Sequence, residues 1–177
     1  LGGLSTETSG ANGTRLYSYD ALGRNVFVSR GDAQIVSARE YDASGDLVAE
    51  HTYTNSDSFA TERYGYDAFG RRVLSVDALG GAVTTRYDAV GNVIERYGAT
   101  QPVRFAYDTA GRRTSLSTTR DGIIWDVTTW SYDPYTGKLL AKRYADDSQA
   151  TYSYAGDGAV LQEVNPSGSW SSSSYDA

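Results

Sequence analysis

Apolar and polar positions alternate along this chain with a period of two, in short runs broken by polar clusters. Aromatic residues stand two apart at Tyr17 and Tyr19, Tyr64 and Tyr66, Phe105 and Tyr107, Trp130 and Tyr132, and Tyr152 and Tyr154. That spacing puts each pair on one face of an extended strand. A second set of short β-prone runs, Val26 and Val28, Leu47 and Val48, Val73 and Leu74, Val93 and Ile94, and Leu139 and Leu140, has no helical period. The pattern predicts strands joined by turns throughout, and no helix.

The clusters between the runs are copies of one motif. Tyr19, Asp20, Gly23 and Arg24 stand in YDALGR; Tyr41, Asp42 and Gly45 in YDASGD; Tyr66, Asp67, Gly70 and Arg71 in YDAFGR. Tyr87, Asp88 and Gly91 follow in YDAVGN, then Tyr107, Asp108, Gly111 and Arg112 in YDTAGR. YDPYTGK, with Tyr132, Asp133 and Gly137, carries one inserted residue; YAGDG at 154–158 is a degenerate copy and YDA at 175–177 an incomplete one. From tyrosine to tyrosine the steps are 22, 25, 21, 20, 25, 22 and 21 residues. A fixed period of this kind decides the architecture before any single element does.

In each near-complete copy Asp and Gly lie three apart, the signature of a type I turn in which Asp accepts backbone N–H bonds and Gly takes a positive φ. Looser turn signals fall between the copies, at Gly31-Asp32, Asn55 to Ser58, Asp77 to Gly81, Gly98 to Pro102, Asp121-Gly122, Asp146 to Ser148 and Asn165 to Gly168. Each repeat thus holds two turns and two strands, with half a period of roughly 11 residues inside the ~8–12 spacing of an all-β chain. Seven periods predict about fourteen short strands, more than the roughly ten that a twisted open sheet carries without curling. The predicted fold is an all-β, elongated, curved antiparallel meander built from these repeats. Its tyrosines are expected to form a ladder across neighbouring strands, each aromatic pair contributing ~0.2–1 kcal/mol. Residues 1–14 read as a partial repeat remnant and a polar loop, since Leu1-Gly2-Gly3 repeats Leu79-Gly80-Gly81; residues 15–177 read as about seven tandem repeats, truncated at both ends.

Composition supports the pattern and narrows the partners. Fifteen Tyr and nineteen Gly against three Pro suit strands and turns. A net charge of −6, from 22 acidic and 16 basic residues, supplies no broad cationic face for nucleic acid or anionic lipid, and neither partner is expected. No apolar run approaches the ~18 residues of a membrane helix, so no membrane insertion is expected. With no Cys there are no disulfides or thiolate metal sites, and with no Met the chain reads as processed or cut from a longer one.

Candidate chemistry weakens under inspection. A repeated row of Asp residues resembles glycosidase carboxylates, but a turn Asp spends its oxygens on backbone N–H groups, and a catalytic site is needed once. Arg24, Arg71 and Arg112, with Lys138, follow the Gly, while Arg15, Arg63, Arg86 and Arg104 precede the Tyr-Asp pair; cross-strand ion pairs are the expected use. His51, the only histidine, has no partner at metal-ligand spacing. Asp42, Ser44 and Asp46 alternate like a calcium loop, but Tyr53 stands where a bidentate Glu belongs. No catalytic residue, cofactor or metal is assigned. Of Trp125, Trp130 and Trp170, Trp170 has the most polar surroundings and is the candidate glycan contact.

Tyr-Asp-x-x-Gly-Arg at a period of twenty-odd residues resembles the YD repeat, or rearrangement-hotspot (Rhs) repeat, over residues 15–177. The family comprises bacterial polymorphic toxins, insecticidal toxin complexes and teneurins. The resemblance implies a spiral β-sheet shell that encloses a C-terminal toxin or other cargo, in a protein that is secreted or displayed at the cell surface. Its partners would be the remaining repeats of the parent chain and that cargo. The expected function is structural and non-catalytic, this chain being an arc of such a shell; the alternative is an adhesion module that binds cell-surface glycans through exposed aromatic and Arg residues.

Overall fold

The computed structural model describes residues 3–9, 13–32, 34–55 and 57–172, with side chains from residue 14 onward except those of 170 and 172. The YDA at 175–177 lies outside the described residues. The chain divides into two units, residues 1–84 and 85–177. In the first lie β1 (Leu4–Ser9), β2 (Gly13–Tyr19), β3 (Asn25–Arg30), β4 (Ile35–Tyr41), β5 (Leu47–Asn55), β6 (Ser58–Tyr66), β7 (Arg72–Val76) and the start of β8 (Ala82–Tyr87). The second holds β9 (Val93–Gly98), β10 (Val103–Tyr107), β11 (Arg113–Thr119), β12 (Trp125–Tyr132), β13 (Leu139–Arg143), β14 (Gln149–Tyr154), β15 (Val160–Val164) and β16 (Trp170–Ser172). Within each unit the strands lie side by side in chain order, each antiparallel to the next.

The all-β antiparallel meander read from the sequence is therefore present, with sixteen strands among the described residues against about fourteen expected. Part of the difference is β1, which occupies the stretch expected as a polar loop. It pairs with β2 from Leu4↔Ser18 to Ser9↔Gly13, and the Tyr19 N–H donates to the Gly3 carbonyl at 3.0 Å. A polar strand forms there because the outer edge of β2 offers a row of backbone groups that need partners.

Six hairpins closed by YD turns carry a register shift immediately before the tyrosine, at Ser18/Tyr19, Glu40/Tyr41, Gly65/Tyr66, Ala106/Tyr107, Ser131/Tyr132 and Ser153/Tyr154. This is the bulge that follows from a type I turn whose last residue is left-handed. Gly70 shows the cause: its φ is +73°, a conformation that costs an L side chain about 1–2 kcal/mol.

Within each unit a strand contacts only its neighbours in the sheet, and no second layer covers either face among the described residues. The buried apolar residues there are Val28, Ala38, Ala49 and Ala150.

At Tyr41, Tyr132 and Tyr154 a different packing stands where the sequence predicts a tyrosine ladder. Successive YD tyrosines end alternate strands, about 9–10 Å apart, beyond the reach of ring contact. For Tyr41, Tyr132 and Tyr154 the neighbour is a cation: Arg24 lies 4.7 Å, Arg112 4.6 Å and Lys138 5.1 Å from the ring centres. Ring contacts do occur between β5 and β6, where Phe59 meets His51 at 5.4 Å and Tyr53 at 5.2 Å.

Candidate functional site

The repeated unit is a turn whose Asp carboxylate is saturated from within. In the YDAFGR turn, Asp67 Oδ1 accepts from the N–H of Phe69 at 2.9 Å and of Arg71 at 3.0 Å, and Oδ2 accepts from Arg71 Nε at 2.7 Å. Asp20 and Asp108 repeat the arrangement with Arg24 and Arg112, each 2.7 Å away. Asp88 accepts from the Asn92 side chain at 2.9 Å, and Asp42 accepts from the Asp46 N–H at 2.9 Å. In the turn with the inserted residue, Asp133 accepts from the N–H groups of Tyr135 and Thr136 and from the Thr136 hydroxyl.

In five of these turns the donors hold the carboxyls of Asp20, Asp67, Asp88, Asp108 and Asp133 below the ordinary Asp range. The main cause is the Arg24 backbone N–H for Asp20, the Arg71 side chain for Asp67, the Asn92 side chain for Asp88, the Arg112 backbone N–H for Asp108 and the Thr136 backbone N–H for Asp133. A carboxylate of this kind is a poor general acid, since proton donation near neutral pH needs the opposite shift. Arg24, Arg71 and Arg112 therefore pair within their own turns, four residues back, and not across strands as the sequence suggested.

Five of the turns are then tied to the preceding repeat by their tyrosines. Tyr41 donates its hydroxyl to the Asn25 carbonyl at 2.9 Å, Tyr66 to Leu47 at 2.8 Å, and Tyr107 to Val93 at 3.1 Å. Tyr132 does so to Arg113 at 2.8 Å and Tyr154 to Leu139 at 2.9 Å. Every one of these carbonyls belongs to the first residue of the strand leaving the previous YD turn. The bonds sit where the backbone ladder has stopped: β5 and β6 last pair at Ala49↔Arg63, and β11 and β12 at Ser115↔Thr129. Consecutive YD hairpins thus part at this edge, and the tyrosine fills the wedge. Where the previous turn's cation also lies over the ring, Asp, Arg and Tyr form one chain from turn to turn.

The remaining candidates find ordinary partners. Glu95 on β9 holds Arg86 at 3.0 Å and Arg104 at 2.8 Å, and these contacts keep its carboxyl low, Arg104 first. Arg104 also stacks on Trp125 at 4.1 Å, and Lys142 lies 5.8 Å from Trp130, its partner in register. His51 is held between the Thr61 hydroxyl and Glu40, each at 2.9 Å. Trp170 stands opposite Val164 on β16, and its side chain lies outside the described residues. Among the described residues no group of three His, Asp or Glu is placed to hold a metal ion.

Sequence reasoning missed the cation-on-tyrosine contact. The recurrence of Arg or Lys after the Gly was its visible signal, but the partner ring is set by strand register and not by a constant spacing. It also missed a groove of about 640 Å³ on the first unit, lined by Arg15, Arg30 and Arg39.

Known proteins carry the same unit. Residues 41–82 and 87–124 match the RHS Repeat family model. The double-stranded DNA deaminase toxin A of Burkholderia cenocepacia is 28% identical over 170 residues, which is 89% of this chain and 11% of that protein. The crystal structure of TcdB2-TccC3 shares the fold with a TM-score of 0.55 at 14% identity, over 90% of this chain and 12% of that one. The chain spans about a ninth of the length of these relatives. Motif and turn geometry agree with these matches: residues 41–82 and 87–124 are Rhs (YD) repeats, and the same structural unit recurs in the turns on either side of them.

Proposed function

We propose that this segment is a length of wall in a larger Rhs shell that encloses a toxin or other cargo, and that it acts by exclusion, without a catalytic residue of its own. The observation that carries the reading is that within each unit the sheet is a single layer among the described residues, tied repeat to repeat by the tyrosine bonds. A one-sheet wall has solvent or cargo on each side and needs no core. The YD motif residues, from Tyr19-Asp20-Gly23-Arg24 through Tyr132-Asp133-Gly137, are in this reading its structural parts.

The remaining repeats of the parent chain are its nearest partners. Leu22, Phe69, Val90 and Tyr135 stand exposed at the tips of YD turns, where an isolated turn would favour polar residues, and they supply apolar contacts for further repeats. In this reading residues 1–14 are a partial repeat and residues 15–177 the tandem array. The parent protein works outside the cell that makes it, by secretion or display.

Limited proteolysis of the full parent tests this. A cargo domain inside a shell stays intact while the same domain expressed alone is digested; equal digestion of both overturns the reading.

A second reading, glycan adhesion, rests on a groove of about 320 Å³ that brings Trp125 and Tyr144 together with the Arg143–Asp147 ion pair. Specific binding on a glycan array, lost in Trp125→Ala or Trp170→Ala, would favour it over the wall.

A further inference from the structure

Two arginines stand directly opposite one another on β2 and β3, Arg15 against Arg30. Like charges at opposed positions of an antiparallel pair destabilise it. Arg30 has no acid across from it on its other side either: its backbone N–H donates to the Gln34 carbonyl at 2.8 Å. The residue opposite Arg15 on β1 is Glu7, so two cations face one acid in register.

Both line the groove of about 640 Å³, which crosses β2 to β5 and also includes Tyr17, Ser37, Arg39 and Thr52. Arg39 is already held by Glu50 at 2.8 Å. Among the described residues the groove lining contains three arginines and no carboxylate, whereas two other grooves include Asp133 and Asp147. On a chain of net charge −6 this is a local reversal of sign.

We propose that this groove binds a phosphate or sulfate monoester, its anionic head between Arg15 and Arg30 and its polar body along Ser37 and Thr52. A tetrahedral oxyanion offers acceptors to both guanidinium forks at once and turns their mutual repulsion into attraction. The volume lies within the roughly 300–1,000 Å³ of small-molecule sites, so a bare inorganic ion leaves most of it unfilled. Ser37 and Thr52 supply hydroxyls for the uncharged part of the ester. The site is independent of the wall reading, since none of these residues belongs to a YD turn.

The test is isothermal titration of the intact segment with inorganic phosphate, inorganic sulfate, glucose 6-phosphate, glucose 6-sulfate and uncharged glucose. One or both esters bind, more tightly than the corresponding inorganic ion, and glucose does not. Arg30→Gln weakens ester binding by about tenfold or more, the loss of a charge-assisted contact. Arg120→Gln, an exposed cation elsewhere, leaves it unchanged. A thermal melt without ligand guards against misfolding: Arg30→Gln relieves a repulsion and melts no lower than the parent sequence, and the ester raises the melting temperature of the parent only. Absence of ester binding, binding equal in Arg30→Gln, or glucose binding as well as its esters overturns the proposal. So does a groove that takes acidic peptides and ignores the esters.

Discussion

Tyr66→Phe isolates the bond that ties one repeat to the next. The change removes only the hydroxyl that donates to the Leu47 carbonyl at 2.8 Å, beyond the last β5–β6 ladder pair at Ala49↔Arg63. Arg72 lies 6.0 Å from the Tyr66 ring centre and 3.9 Å from that of Tyr64, so the cation contact survives in the variant. The site is part-buried, so water can partly replace the lost donor, and the cost is about 1 kcal/mol, within the ~0.5–1.5 of a net hydrogen bond. For a chain of this size that lowers the melting temperature by about 2–4 °C. Tyr132→Phe, in the other unit and sharing no partner with Tyr66, has its own bond to the Arg113 carbonyl. If melting is one transition, the double variant loses about twice as much.

Differential scanning calorimetry of the two single variants and the double measures this. Tyr135→Phe is the control, because Tyr135 is 95% exposed at a turn tip. If Tyr66→Phe melts where Tyr135→Phe does, the hydroxyl bond contributes nothing and the wedge account of the repeat junction is wrong.

Gly70→Ala and Gly156→Ala separate backbone strain from crowding, since an added Cβ meets nothing within 4 Å at either position but only Gly70 has a positive φ. The first should destabilise by about 1–2 kcal/mol and the second be neutral or stabilise by ~0.4–1, read as melting temperatures. The depressed carboxyls of Asp20, Asp67, Asp88, Asp108 and Asp133 contribute stability above the unfolded Asp value of 3.8, which is lost as pH falls through their lower folded values. Melting temperature should therefore hold steady from neutral pH to about 5 and fall below about 4, and a flat profile to pH ~2 would count against the turn hydrogen bonds. Burial, with help from the bond to Glu62, pushes the Tyr64 hydroxyl up to about 12, so it should ionise after the exposed tyrosines in an ultraviolet titration, and Tyr64→Phe should remove that late step.

The turns were legible because Asp and Gly do their work within a few residues of each other. Asp67 needs only Phe69 and Arg71 as donors, and Gly70 needs only its own φ, so motif spacing carries the geometry. The junctions were not legible for the opposite reason. Arg24 meets Tyr41 and Arg112 meets Tyr132 at different sequence separations, because the intervening hairpins differ in length and only the register aligns them. The bulge before Tyr66 is invisible to a count of alternating residues, yet it re-aims the ring toward the wedge. Polar β1 carries no alternation to announce it, and the opposition of Arg15 and Arg30 exists only once β2 and β3 are paired.

A sheet without a covering layer has to solve locally what a core solves collectively. Apolar burial is confined to a few small side chains, so hydrophobic stabilisation per residue is low, and the stabilising contacts must recur with the repeat. Tyrosine suits that demand: its ring covers area in the wedge, a cation shields an outer face, and its hydroxyl satisfies a carbonyl the ladder has abandoned. Arginine works twice, neutralising the turn Asp and stacking on the next ring, as Arg112 does with Asp108 and Tyr132. Because each contact reaches only the neighbouring hairpin, repeats can be added without redesigning those in place. That property suits a wall whose extent is set by the number of copies.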